Sequence, residues 1–375
     1  MHTILIEALG INRAGGGRTA ILNLLQHVFW QDSETRYLVW LSERETTFER
    51  FPNVEQIAVP RLNRFAVRLY LQATMPGLVR RARVDLVHFT KNLTVFGLTC
   101  PYLVTVHDLT ILRLPRLHSP LDVAYWKWIE PVAVRRAATV VAVSHDTARD
   151  VAAFYGVPAD RTTVIPWAPL PAFMPGRDPA CLVEFRRRYD LPEHYILFLG
   201  ILAKKKNLPT LLHSLAALRQ RLPDAPDLVV VCRQYPQSED HVSRVLAPQL
   251  GLTGKVRFVG QAPDQDLPSF YALADAYVLP SLHEGFGIPC LEAMACGTPV
   301  VVSAAGALPE VTDGAALVYG DPLDAAGLTD ALQRLLCDAG LRAECIARGL
   351  KRAAEFSWSA AAEKQLAAYR KVLPL

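Results

Sequence analysis

The sequence lacks most of the devices that hold small exported proteins together. Its seven cysteines, Cys100, Cys181, Cys232, Cys290, Cys296, Cys337 and Cys345, are odd in number and scattered, and they form no C-x-x-C pair. Neither a disulfide framework nor a zinc knuckle is indicated, and the thiols read as buried groups in a reducing compartment. No uncharged apolar run reaches the roughly 18 residues of a membrane span. The opening MHTILIEALG has neither the basic region nor the long apolar region of a signal peptide, so a cytoplasmic location is expected. The ten histidines include no H-E-x-x-H or comparable cluster, so no catalytic metal and no bound cofactor are expected. Internal repeats, low-complexity stretches and nucleic-acid modules are also absent.

What is present is ordinary globular material. Of 375 residues, 51% are hydrophobic and 20% charged, enough for two domains with cores of their own and too apolar for extended disorder. The net charge of +4 is unevenly spread, with 19 Lys and Arg against 14 Asp and Glu in residues 1 to 175. A basic first half favours an anionic partner, such as a membrane surface or a phosphorylated ligand, or it is a solvated face.

Short apolar runs rich in β-branched residues recur between helical patterns. They are HTILIEA, RYLVWL, VDLVHF, YLVTV, TVVAV and TTVIP in the first half, then YILFLG, DLVVVC, VRFVG, AYVLP, PVVVS and ALVYG. Buried strands alternating with helices make parallel sheets covered on both faces, so two doubly wound α/β units in series are expected. Between them, PWAPLPAFMPGRDP carries prolines at 166, 169, 171, 175 and 179 and cannot continue a helix or a central strand. The boundary is placed near Ala172, giving domains 1–172 and 173–355 and a closing segment 356–375. Helical patterns are expected at Asp324 to Cys337, Leu341 to Glu355 and Ala360 to Val372.

The most informative segment is PSLHEGFGIPCLEAMACGTPVVVS, residues 280 to 303. Gly285 and Gly287 permit a sharp turn, Pro289 suits the first position of a helix, and the amides of Cys290 and Leu291 would then face the loop as an anion site. Glu284 in the loop and Glu292 in the helix can face one mouth. An ionised carboxylate accepts two hydroxyl hydrogen bonds, which suits the vicinal diol of a ribose or a sugar, and phosphate beside diols means a nucleotide sugar. The plainer alternative is a helix-start acid and a surface loop acid.

Elsewhere, Lys204, Lys205, Lys206 and Asn207 follow YILFLG and open the pattern LPTLLHSLAAL. Cations at a helix start oppose the macrodipole, so either an anion compensates them or they are a solvated run. His107 and Asp108 come directly after PYLVTV, at the strand end where open α/β sheets place ligands, although a structural histidine is the alternative. Gly15, Gly16 and Gly17 lie between the first strand and a helix starting near Arg18. They allow close approach of a phosphate or sugar, or form a tight turn. Because residue 20 is Ala, G-x-G-x-x-G is absent and a nicotinamide site is not expected.

The run from 284 to 300 resembles the donor-site signature E-G-F-G-x-P-x-x-E-A-M-A-x-G-x-P-V of family 4 glycosyltransferases, retaining enzymes of the GT-B fold. The resemblance extends to the glycine loop, V-H-D-L at 106 to 109, V-S at 143 to 144, K-K-N after YILFLG, and F-S-W at 356 to 358. It implies two Rossmann-like domains facing across a cleft, the first binding the acceptor and the second the nucleotide sugar, with a final helix crossing back to the first. It implies that Glu284 and His107 contact the transferred sugar, Glu292 the nucleotide ribose, and Lys206 with Lys205 the donor diphosphate. Many relatives place an Arg just after the strand glycine, where this chain has Ile201. Gly16, Gly17, Asp108, Gly285, Phe286, Gly287, Ile288, Cys290 and Leu291 complete the implied substrate contacts, with no metal. The V-H-D-L and glycine segments are most similar to bacterial mannosyl- or rhamnosyltransferases of polysaccharide assembly, which implies GDP-mannose as donor and a glycan or lipid-linked sugar as acceptor. Two other classes share the fold: an epimerase or phosphorylase, and a non-catalytic membrane-associated partner.

The stretch from 60 to 85 holds Arg61, Arg64, Arg68, Arg80, Arg81 and Arg83 with no acid before Asp85. Arg61, Arg64 and Arg68 are expected on one helical stripe, and Tyr125, Trp126 and Trp128 surround Lys127. That combination suits an anionic bilayer surface, or equally a core-packed helix with a wet basic face.

Overall fold

The computed structural model describes all residues except 13–15, 63, 93–94, 234–244 and 374–375. The chain divides into two compact units, Met1–Ala168 with Ser357–Leu375, and Pro169–Phe356. Among the described residues, the first holds a seven-stranded sheet of β1 (Thr3–Glu7), β2 (Arg36–Leu41), β3 (Val54–Ala58), β4 (Leu86–Phe89), β5 (Tyr102–Val106), β6 (Thr139–Ala142) and β7 (Thr162–Val164). The second holds a six-stranded sheet of β8 (Tyr195–Ile201), β9 (Asp227–Arg233), β10 (Val256–Gly260), β11 (Ala276–Leu279), β12 (Val300–Ser303) and β13 (Leu317–Tyr319).

Every described pairing is parallel. The spatial orders are β3-β2-β1-β4-β5-β6-β7 and β10-β9-β8-β11-β12-β13. Both sheets therefore reverse their winding once, between β1 and β4 in one and between β8 and β11 in the other. Such switch points open a crevice beyond the carboxyl ends of the strands, where ligands of open α/β sheets bind.

The strands form where the apolar runs lie because both faces of a parallel sheet are buried. Leu5, Val87, Phe89, Val104 and Val140 pack against Leu71, Met75 and Val79 of the helix Arg64–Arg81. In the second unit Ile196, Phe198, Val230 and Val278 pack against Leu208, Leu211, Leu215 and Leu218 of the helix Leu208–Arg221. The sequence reading missed β3. Its V-E-Q-I-A is an edge strand only partly buried, so it needs no continuous apolar run. The three closing helices run Ala325–Cys337, Ala339–Ala354 and Trp358–Val372.

Some local expectations are corrected. Arg61 precedes its helix and pairs with Glu43, so it shares no helical stripe with Arg68. Lys204–Lys206 form a separate 3-10 turn, and Asn207, at φ 55°, stands between them and the next helix. Trp126 packs toward the core of the first unit, away from the exposed Trp128. Gly16 is the first residue of the helix Gly16–Gln31, so Gly16 and Gly17 belong to its first turn; Gly15 lies outside the described residues.

The last helix is capped by Ser357, whose side chain accepts from the Ala360 amide, and it packs on the helix Gly16–Gln31. Its Tyr369 hydroxyl lies 2.7 Å from His88 Nδ1 on β4, and the other ring nitrogen lies 2.9 Å from Thr105 Oγ1 on β5. Burial, with His107 nearby, pushes the His88 pKa from 6.5 down to about 3. The unfolded chain therefore takes up the proton first as pH falls. Stability from this contact is full above about 6.5 and declines toward pH 3. Urea midpoints are expected to fall between pH 7.5 and 5. Tyr369→Phe, which leaves a buried ring nitrogen unpaired, is expected to cost about 1 to 3 kcal/mol at neutral pH.

Candidate active site

The second switch point is flanked by two segments. Lys204–Lys206 follow β8, and the loop 280–287 follows β11 and leads into the helix Ile288–Ala295. They are tied by backbone and side chain. The Leu282 amide donates to the Lys205 carbonyl at 2.7 Å, and Asn207 Nδ2 donates to the carbonyls of Pro280 at 3.0 Å and Pro322 at 2.7 Å.

Lys206 Nζ lies 2.6 Å from Glu284 Oε1, with the two side chains 13% and 9% exposed. Ser281 Oγ donates to the same oxygen at 2.6 Å. Burial alone would raise the Glu284 pKa, but the ammonium groups of Lys206 and Lys205 outweigh it and hold the carboxyl below its ordinary value. Glu284 is therefore ionised at neutral pH. Glu292 is the opposite case: burial drives its pKa up to about 7, opposed by the Tyr271 hydroxyl and the Lys206 charge and reinforced by Asp264. The Tyr271 hydroxyl donates to Glu292 Oε2 at 3.0 Å. One cation thus acts on two carboxylates of different protonation.

The loop is held in place from behind. Gly287 adopts φ +90°, and a Cβ there would lie 2.6 Å from Leu308 Cδ2, so any other residue is strained there and displaces the Leu308 side chain. Gly306, just after β12, is as tightly bound: a Cβ would lie 2.3 Å from the Glu284 carbonyl oxygen. The Ala307 amide donates to that oxygen at 2.9 Å, and Ser303 Oγ donates to the Ser281 carbonyl at 2.6 Å. Ser303, Gly306 and Tyr271 escaped the sequence reading, since each acts on a residue distant in sequence, and Ser281 escaped it although it lies three residues from Glu284.

The structure gathers Lys205, Lys206, Glu284, Cys290 and Glu292 in the second unit, where Glu284, Lys206 and Glu292 all act electrostatically on the Cys290 thiol. The side chains of Phe286, Ile288, Cys290 and Leu291 are buried, Phe286 against Phe356. These residues, with Gly285 and Gly287, could meet a ligand only through the backbone. One expectation is corrected here: the Cys290 amide is not left for an anion, because it donates to the Gly287 carbonyl at 2.9 Å and closes the first turn.

Gly16, Gly17, His107 and Asp108 belong to the first unit. Asp108 Oδ1 accepts from the Thr110 amide at 3.0 Å, so part of its role is to turn the chain after β5. His107 Nε2 lies 2.6 Å from the Thr90 carbonyl oxygen, which can only accept, so Nε2 carries the proton. Nδ1 is then an acceptor, buried and without a hydrogen-bond partner among the described residues. Burial pushes the His107 pKa down to about 4, so the ring is neutral. A Cβ at Gly17 would meet nothing within 4 Å, so neither packing nor an unusual φ demands glycine there.

Comparison with known proteins agrees with this construction. Residues 14–168 match Glycosyltransferase Family 4 and residues 184–352 match Glycosyl transferases group 1. The chain is 33% identical over 271 residues to O-antigen chain mannosyltransferase B of Escherichia coli, spanning 71% of this chain and 69% of that one. It is 38% identical over 253 residues to D-inositol 3-phosphate glycosyltransferase of Salinispora tropica, across 64% of this chain and about half of the relative, 52%. In fold it is similar to sucrose-phosphate synthase from Thermosynechococcus elongatus, with a TM-score of 0.81 at 22% identity over 99% of both chains. It is similar also to HepE of Anabaena, solved with UDP and glucose, with a TM-score of 0.78 at 20% identity over 100% of both. Two Rossmann-like units carrying both family regions in order leave one conclusion, that this chain belongs to the family 4, group 1 glycosyltransferases and is an enzyme of the GT-B fold.

Proposed function

We propose that this glycosyltransferase moves a mannosyl residue from GDP-mannose to a hydroxyl of a growing glycan or lipid-linked sugar in polysaccharide assembly, with retention of anomeric configuration. The observation that carries the reading is the buried Lys206 to Glu284 pair beside Glu292 at the second switch point. A nucleoside diphosphate sugar supplies the complement: an anion for the lysines, a ribose diol for Glu292 and sugar hydroxyls for Glu284. Mannose as the transferred sugar is supported by the E. coli relative named a mannosyltransferase.

As the glycosidic bond breaks, negative charge grows on the β-phosphate, and Lys206 with Lys205 stabilises it from a largely desolvated position. The lysines supply the charge a divalent ion would otherwise bring, so turnover is expected in chelator. The sugar becomes oxocarbenium-like and is attacked by the acceptor hydroxyl from the face the diphosphate leaves, the hydroxyl proton passing to the departing β-phosphate oxygen. Glu284 accepts hydrogen bonds from the sugar's hydroxyls. In a panel of nucleotide sugars, GDP-mannose is expected to raise the melting temperature most and to be consumed only with a sugar acceptor. Greater stabilisation by a UDP-sugar would replace the donor, and turnover without an acceptor would favour an epimerase or phosphorylase.

Attachment to an anionic membrane face belongs to the same reading. Among the described residues no helix is long and apolar enough to cross a membrane. The first unit instead exposes Leu121 at 84%, Leu69 at 74% and Trp128 at 69%. Arg68 lies 4.1 Å over the Tyr125 ring, joining the helices Arg64–Arg81 and Pro120–Trp128, and Arg80 and Arg81 are exposed. Apolar side chains beside cations suit the headgroup boundary. Vesicles with anionic lipid are expected to sediment the protein at low salt and release it at high salt. Glutamate at both Arg80 and Arg81 should weaken that binding several-fold, whereas equal binding to neutral vesicles would leave the patch as solvated surface.

A further inference from the structure

The first switch point carries a carboxylate that none of the chemistry above uses. Glu7 ends β1, the strand beside the reversal, and is 3% exposed. Its Oε1 accepts the Leu9 amide at 3.0 Å, and its Oε2 has no hydrogen-bond partner among the described residues. A buried carboxylate oxygen left unsatisfied is costly, and native proteins keep few of them without a use. Burial raises the Glu7 pKa, while the Leu9 amide and the Lys91 ammonium oppose it.

Glu7 belongs to a cluster that crosses the reversal. The Glu7 carbonyl accepts from both the Thr90 amide at 3.3 Å and Thr90 Oγ1 at 2.7 Å, just past β4. The Thr90 carbonyl takes the proton of His107 Nε2, just past β5. Thr90 thus ties together the ends of three adjacent strands, and the side chains at both ends of this tie, Glu7 and His107, each keep one buried acceptor without a partner among the described residues. The Lys91 charge acts on both of them.

We infer that Glu7 Oε2 is a hydroxyl-binding site for the acceptor sugar. Two buried acceptors without partners among the described residues recognise a neutral polyol, which brings an O–H donor for each. A phosphate is a poor match, since it would face the Glu7 carboxylate. The inference rests on the transferase reading and specifies which residue binds a hydroxyl of the acceptor sugar away from the one that attacks.

The test uses the full chain with GDP-mannose as donor and methyl α-D-mannopyranoside as acceptor. Glu7→Gln keeps the volume and the Leu9 contact but puts a donor where the open acceptor was. The KM for the mannoside is expected to rise at least tenfold, while GDP affinity, donor KM and slow donor hydrolysis without acceptor stay at parent values. Glu7→Asp, which withdraws the carboxylate by one methylene while keeping its charge, is expected to do the same. A single cooperative urea transition at the parent's midpoint, with unchanged GDP affinity, certifies that both units of each variant are folded. A folded variant with the parent's acceptor KM, or one that loses donor hydrolysis in equal measure, overturns the inference alone. A parent protein that transfers nothing to the mannoside overturns the transfer reading as written, and this inference with it.

Discussion

Replacing Lys206 with alanine is expected to lower kcat by roughly 100-fold or more, because a donor aimed at charge that develops during bond breaking acts mainly in the transition state. The same change strands Glu284, which is 9% exposed and pairs with Lys206 at 2.6 Å. Removing one partner of a buried pair costs on the order of 3 to 5 kcal/mol, so a large drop in melting temperature should accompany the kinetic loss. The two effects separate in a double variant. Lys206→Met with Glu284→Gln removes both charges together and is expected to recover most of the stability while recovering none of the activity. Denaturant unfolding and steady-state kinetics on the parent and the two variants measure this. Activity that returned together with stability would make the pair structural.

Glu292→Ala is expected to weaken binding of free GDP by about 1.5 to 3 kcal/mol, the value of charge-assisted hydrogen bonds to the ribose diol, whereas Glu284→Ala should spare the free nucleotide. The pH dependence provides a second signature. With a pKa near 7, Glu292 is largely protonated at pH 6, and a carboxylic acid has given up part of its accepting capacity. GDP binding should therefore strengthen as pH rises through about 7 and should release a proton at pH 6.5. The loss below the pKa approaches about 1.4 kcal/mol per pH unit. Calorimetry in two buffers of different ionisation enthalpy reads that proton directly. Glu292→Gln should lower the release to what the GDP phosphate alone supplies, and a release that this substitution leaves unchanged would remove the diol assignment.

The placement of Glu284 and Glu292 was legible because they sit in one contiguous run whose glycines and proline dictate a loop entering a helix. The strands were legible for a related reason: a parallel sheet buried on both faces writes itself as continuous apolar runs, and β3 was missed because an edge strand need not. What the sequence could not give was pairing across distance. Tyr271 reaches Glu292 from a helix 21 residues upstream. Asn207 ties its turn to the Pro280 carbonyl across 73 residues. Gly306 looks like any loop glycine until the Glu284 backbone is found against it. The three lysines illustrate the same limit, since composition shows a basic run, whereas the distinction of Lys206 is its contact with Glu284. Reading the Cys290 amide as an open anion site failed because a helix can begin with a tighter turn that consumes its own donor.

The most direct measurement follows the anomeric signals of donor and product by NMR during transfer from GDP-mannose to methyl α-D-mannopyranoside, in buffer containing chelator. The predicted result is an α-linked product from the α-configured donor, formed at a rate that chelator does not reduce. A β-linked product, or turnover lost in chelator and restored by magnesium, would contradict retaining transfer at a diphosphate neutralised by Lys206 and Lys205.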